Sequence, residues 1–231
     1  NIKKLYIIIK NFLIFSPNHV GSKFNLSQCY FGLLKYKEAF EYYEYRKENK
    51  IIKDKIHNVQ EQLKSDEWEG QDLNKKKILI IGEQGIGDNI QFFRYLYCLK
   101  ENFNTEIIFY VSKNLLHLFN NTPFKITSSL KNLKNIEYHQ NLLSLPGIFY
   151  NKNNKFYKNI NYIEIDSVNN KKWKDKLIEF RKPIIALNWQ GNKNFVFDDE
   201  RSINLSFFKN ILKIKKYHFI SLQKGFGSEQ I

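Results

Sequence analysis

Lys77-Ile78-Leu79-Ile80-Ile81-Gly82-Glu83-Gln84-Gly85-Ile86-Gly87-Asp88 joins a continuous apolar run to a glycine-rich turn. An unbroken run of Ile and Leu reads as a strand buried on both faces, as in a parallel sheet. After the turn, Asn89 to Lys100 reads as a helix with Ile90, Phe93, Leu96 and Tyr97 on one face. Thr105 to Val111 is the next strand. Strand, glycine turn, helix and strand make one unit of a doubly wound sheet. Gly85 and Gly87 open the helix, where backbone N–H groups and the helix dipole favour an anion. The spacing is GxxGxG rather than GxGxxG, and the second strand ends at Ser112 without the acidic residue that holds a ribose. No GK[ST] follows, so the turn is not a P-loop.

Upstream of this unit the periodicity is helical. Val20 to Leu33 carries Phe24, Leu26, Tyr30 and Leu33 on one face, and Tyr36 to Lys47 carries Ala39, Phe40 and Tyr43. The pair resembles a tetratricopeptide repeat, a unit of about 34 residues. Leu26, Ser27, Tyr30, Ala39 and Tyr43 fall at its signature positions, and Pro17 fits the end of a preceding unit. Leu34 replaces the glycine between the helices, and Arg46 replaces a small residue late in the second. An ordinary helical hairpin is the plainer alternative. Residues 1–15 read as the closing helix of a preceding repeat, and 48–70 as a further helix and a linker. The run Leu5 to Phe15 is broken by Lys10 and Asn11, and falls short of the roughly 20 residues that span a bilayer. It is therefore not expected to be transmembrane.

The chain has 231 residues, 42% of them apolar and 16% aromatic, enough for a substantial core. Its net charge of +14 comes from 37 Lys and Arg against 23 Asp and Glu, scattered along the sequence. Scattered lysines among abundant Asn and Ile fit a compositional bias as well as an anionic ligand. No zinc-finger spacing or aromatic-basic RNA signature is present, so no nucleic-acid partner is expected. Cys29 and Cys98 lie far apart without metal spacing, which fits a reducing, cytoplasmic setting. The absence of methionine and a C-terminal Lys224 to Ile231 stretch that reads as an active loop lead us to expect a piece of a longer protein.

Five ordered blocks carry a more specific resemblance. They are Trp68-Glu69-Gly70; Gly82 to Asp88 with Ile90-Gln91-Phe92-Phe93-Arg94-Tyr95; Tyr138 to Pro146; Ala186 to Asn192; and Asp198 to Ile203 with Ser221 to Gly225. Together they resemble bacterial tetratricopeptide-repeat glycosyltransferases. That family is similar in arrangement to O-linked N-acetylglucosamine transferases and, in its first glycine turn, to lipopolysaccharide heptosyltransferases. Asn89 stands where the family often has Thr or Val, and Asn141 where it often has Pro. The resemblance implies an α + α/β fold: a helical repeat segment and linker at 1–67, a Rossmann-like acceptor lobe at 68–170, and a linker helix with part of a second Rossmann-like, nucleotide-sugar lobe at 171–231 (GT-B type). It implies inverting transfer from a nucleotide-sugar to a glycan, lipid or protein acceptor, without a metal or other cofactor. The chain alone is expected to be inactive. Helical repeats that recruit a protein partner beside a catalytically silent α/β scaffold make the alternative.

Inverting transfer needs a base for the acceptor hydroxyl and positive charge for the departing diphosphate. By resemblance Asp88 is the base, although Asp88 with Gln91 three residues on also makes a capping-box pattern. His139, expected in a loop before Leu145-Pro146, is the second candidate base, with a pKa near neutrality in its favour. Arg201 is assigned by resemblance to the diphosphate, for which its fork suits bidentate contact. A surface ion pair with Asp198, Asp199 or Glu200 is its other reading. Gln190, Gly191 and Asn192 follow the strand Ile184 to Trp189, and Lys224 follows the strand Phe219 to Leu222, where ligand loops of α/β sheets lie. Gly85, Gly87 and Gln91 complete the candidate substrate contacts. No His/Cys/Asp cluster has metal-ligand spacing.

Overall fold

A computed structural model gives the fold and describes residues 1–48, 59, 62–83, 85–158, 161–195 and 198–231. The helix and linker expected over 48–70 lie in large part outside these residues. The chain divides into two compact units, Asn1–Glu164 and Ile165–Ile231.

The first unit begins with three helices, α1 (Ile2–Phe15), α2 (Val20–Gly32) and α3 (Tyr36–Tyr43), the last continued by a 3-10 turn at Glu44–Glu48. Ile9, Leu26, Cys29, Tyr30 and Ala39 form their shared core. The α2–α3 turn closes as a Schellman motif: Leu34 N–H donates to Phe31 O and Lys35 N–H to Tyr30 O at 2.9 Å. Leu34 takes the left-handed position at φ 59°. A Cβ there costs about 1–2 kcal/mol, and the side chain is exposed. Leu34→Gly removes that cost but returns about 0.4–1 kcal/mol through the freer unfolded chain. We therefore expect a net gain below about 1 kcal/mol in urea unfolding; a loss would mean that the leucine side chain contributes packing.

The α/β part is a five-stranded, all-parallel sheet of β1 (Asp66–Glu67), β2 (Lys77–Ile81), β3 (Glu106–Tyr110), β4 (Lys125–Thr127) and β5 (Tyr138–Asn141), in the order β1-β5-β2-β3-β4. The sheet grows outward from β2 through β3 to β4, then returns to β2's other side with β5. The chain order thus reverses between β2 and β5, and open α/β sheets hold ligands beyond the carboxyl ends of such a strand pair. Ile78 and Ile80 face α4 (Ile86–Phe92) and α5 (Arg94–Asn102), in a core centred on Phe93. Phe93 stacks on Phe119 at 4.2 Å and meets Phe109 and Phe124 edgewise or tilted. Leu79 and Ile81 face the other way, with Ile108. Burial of both faces is what the apolar run over 78–81 requires. Helices α6 (Leu116–Phe119) and α7 (Leu145–Asn153) follow in the same unit.

Two expectations need correction here. The helix after the glycine turn begins at Ile86, not Asn89, so Asp88 is its third residue and the Asp88–Gln91 capping box does not form. His139 lies within strand β5, paired in register with Leu79, rather than in a loop.

The second unit has α8 (Ser167–Leu177), β6 (Ile184–Leu187), α9 (Lys209–Leu212) and β7 (His218–Ser221), with β6 and β7 parallel. Its first helix starts at Ser167, ahead of residue 171 from which the linker helix is expected, and Asp166 caps it by accepting the Val168 N–H at 3.1 Å. Both strands end earlier than the sequence suggests. No helix of the described residues is long and apolar enough to cross a membrane.

Candidate functional site

The glycine turn at the end of β2 is held from within. A Cβ at Gly82 would collide with the Asn89 side chain and lie 3.0 Å from Tyr110 O, so only glycine fits. Asn89 fills that space: its Nδ2 donates to Glu83 O at 3.0 Å and Gly85 O at 2.8 Å. The Asp88 carboxylate accepts the Gly85 N–H at 3.0 Å. The turn therefore spends Gly85's N–H on its own carboxylate. An incoming phosphate would meet a negative charge there, contrary to the anion-accepting role expected of Gly85. Gly87 is exposed, with open space around it.

Asp88 borders a cavity of about 680 Å³ between the helical hairpin and the sheet's helices. Phe24, Phe31, Tyr36 and Tyr43 line it from the hairpin, and Phe92, Tyr95 and Phe156 from the α/β part. Gln28, Asp88, Gln91 and Arg94 are among its polar lining residues, beside the tyrosines. Arg94 Nε donates to Gln91 O at 2.7 Å, and its guanidinium lies 5.3 Å from the Tyr162 ring. Aromatic faces with a few hydrogen-bonding groups suit an organic acceptor, and a carboxylate in that company can take a proton. The aromatic wall escapes sequence reasoning, because a ring facing a cavity and a ring facing a core share the same helical period.

His139 is not brought to Asp88. In β5 it shares the sheet face of Leu79, opposite the face covered by α4 and α5. It is buried, and its Nδ1 lies 3.0 Å from Ser65 Oγ. Burial holds its imidazole below the ordinary value, against the opposing pull of Glu67. The unfolded chain, titrating near 6.5, thus takes up the proton before the folded one does. The resulting stability is complete above that pH and lost as pH falls towards the folded value. We expect the thermal midpoint to drop between pH 7.5 and 5.5 and His139→Gln to flatten the drop. Equal slopes for variant and parent would remove His139 from the response.

In the second unit Gln190, Gly191 and Arg201 converge on Asp198, which is buried. Arg201 Nε and Ser202 Oγ each donate to Asp198 Oδ1 at 3.0 Å, and Gln190 Nε2 donates to Oδ2. Gly191 N–H donates to Ser202 Oγ at 2.9 Å, and a Cβ on Gly191 would stand 2.6 Å from Asp198 Oδ1. Arg201 is half exposed, and its guanidinium lies 4.5 Å from the Phe195 ring. Asn192 uses its Oδ1 locally, accepting the Asn194 N–H. Gln223, which sequence reasoning passed over, joins the two strand ends: its Oε1 accepts the N–H groups of Trp189 and Gln190 at 3.2 and 3.0 Å. Lys224 follows it, exposed. A cavity of about 500 Å³ here is bordered by Gln190, Lys193, Asp198 and Ser202.

Among the described residues no group of three or more His, Cys, Asp or Glu is placed to hold a metal ion. Compared with protein-family models, curated proteins and solved structures, the chain has no match.

Proposed function

We propose that the protein is a glycosyltransferase of the two-Rossmann-lobe (GT-B) kind, with a tetratricopeptide-type helical segment, that transfers a sugar from a nucleotide-sugar to an acceptor hydroxyl with inversion. The observation that carries the reading is Asp88 at the rim of the aromatic cavity, just past the carboxyl end of β2. The acceptor binds against the rings, and Asp88 takes the proton from its hydroxyl as that oxygen attacks the anomeric carbon. The bond from that carbon to the diphosphate oxygen breaks, and the leaving group carries the new negative charge. In the second unit, Arg201 is the residue that the resemblance assigns to a nucleotide diphosphate; Asp198 accepts its Nε–H at 3.0 Å, and a planar, always charged guanidinium suits bidentate contact with phosphate. Of the two candidate bases Asp88 is preferred, since His139 lies on the other sheet face.

A thermal-shift screen of nucleotide-sugars and nucleoside diphosphates tests the reading, because a ligand bound only by the native state raises its stability. A shift with one donor family is the expected result; none with any would favour the scaffold alternative. Arg201→Ala should weaken that diphosphate's affinity about tenfold or more, and Arg201→Lys should recover only part of it. Unchanged affinity by isothermal titration calorimetry would remove Arg201 from the donor site.

A further inference from the structure

Arg46 is the most completely buried charge among the described residues, with no side-chain exposure. It leaves the 3-10 turn that ends the hairpin and enters the space beyond the carboxyl ends of β2 and β5. There Nη2 donates to Glu83 Oε1 at 2.6 Å and to Ser144 Oγ at 2.8 Å, and Nε donates to Glu83 Oε2 at 3.3 Å. Nη1 donates to Glu44 Oε1 at 2.7 Å. Leu143 N–H adds a bond of 3.2 Å to Glu83 Oε1. A doubly wound sheet holds its ligand in this crevice; here a guanidinium from the helical segment fills it.

Glu83 is the second residue of the glycine turn, so this contact reaches the candidate site. Its side chain is fixed by Arg46 and its carbonyl by Asn89 Nδ2, which also holds Gly85 O. Gly85 in turn donates to Asp88. The chain of contacts from hairpin to carboxylate is Arg46, Glu83, Asn89, Gly85, Asp88. An ion pair this buried adds little net stability over an apolar pair of the same volume. What it supplies is a fixed bidentate geometry.

We propose that Arg46 is a positioning residue: through Glu83 it sets the conformation of the glycine turn and thereby the placement of Asp88 at the aromatic cavity, making the helical segment part of the catalytic lobe. The proposal rests on the reading of Asp88 as the base. Its test is separable from that reading, because the conformation of the turn is measurable without a substrate.

The variant pairs Arg46→Met with Glu83→Gln in the full chain. Both charges are removed together, volume is nearly kept, and the Gln carbonyl still accepts the Leu143 N–H, so no buried charge is stranded. Amide hydrogen exchange is then followed at Gly85 and Asn89 and, as an internal reference, in Lys77 to Ile81. We expect exchange in the turn to quicken about tenfold or more while the strand stays protected. Unchanged exchange in the turn, or equal quickening in turn and strand, would overturn the proposal. Where a donor and acceptor support transfer, turnover should fall while KM for the acceptor stays within about twofold, the mark of lost alignment rather than lost binding. Arg46→Lys should recover part of the turnover, and a pure KM effect would overturn the positioning role. A localised change in exchange together with an inert parent protein would support the role of Arg46 and count against the proposed activity alone.

Discussion

Replacing Asp88 with Asn is expected to lower sugar-transfer turnover about 10²-fold or more while leaving the fold in place. Asn keeps an oxygen where Asp88 Oδ2 accepts the Gly85 N–H, so the hydrogen bond inside the turn survives. The amide does not accept a proton at neutral pH, so the acceptor hydroxyl must attack without a base. The lost interaction of a carboxylate with the first turn of α4 costs about 0.3–1 kcal/mol, too little to unfold the unit. A companion, Asp88→Ala, removes base and hydrogen bond together and adds a stability loss that Asn does not show. Single-turnover rates with saturating donor, measured beside urea unfolding, separate the two effects. Activity in Asp88→Asn equal to the parent's would leave Asp88 with the turn alone to hold.

The elements around Asp88 were legible where burial is two-sided and local. Ile78 to Ile81 reads as an interior strand because nothing else accommodates four consecutive large aliphatics, and the glycines after it mark a turn without ambiguity. The start of α4 was misread by three residues. Asp88 looks like an N-cap, but the helix had already begun, with the carboxylate reaching back to Gly85. His139 failed for another reason. Tyr138-His139-Gln140-Asn141 has neither an apolar run nor clean alternation, and is a strand because β1 and β2 flank it. Asn141 shows the cost: its amide is fully buried, and neither polar atom has a hydrogen-bond partner among the described residues. Arg46 stood out only as a departure from a repeat pattern. Its partner Glu83 lies 37 residues on, and a separation fixed by tertiary packing leaves no periodic trace in sequence.

That pairing makes Arg46→Ala the most destabilising single change we expect in the first unit. The substitution leaves the Glu83 carboxylate, 2% exposed, without a counter-charge, and removes the donors to Ser144 and Glu44. Breaking a buried pair from one side typically costs about 3–5 kcal/mol, because the surviving charge stays out of water. In a unit of this size that is a fall in Tm on the order of 10 °C. Burial alone would lower the Arg46 pKa, yet Glu83 and Glu44 beside it hold it above its ordinary value, so the guanidinium stays charged. Glu44→Gln should cost far less, about 1 kcal/mol or below, since its side chain is 41% exposed and water replaces what is lost. The ordering separates a buried ion pair from generic loss of packing: removing the arginine alone should cost more than removing it together with the Glu83 charge. Urea unfolding of Arg46→Met, Glu44→Gln and the Arg46→Met, Glu83→Gln pair measures it at constant volume, with Arg46→Ala beside them to show the added loss of packing. If the single and paired changes cost the same, Glu83 reaches solvent once Arg46 is gone, and the space at the end of β2 is more open than its hydrogen bonds imply.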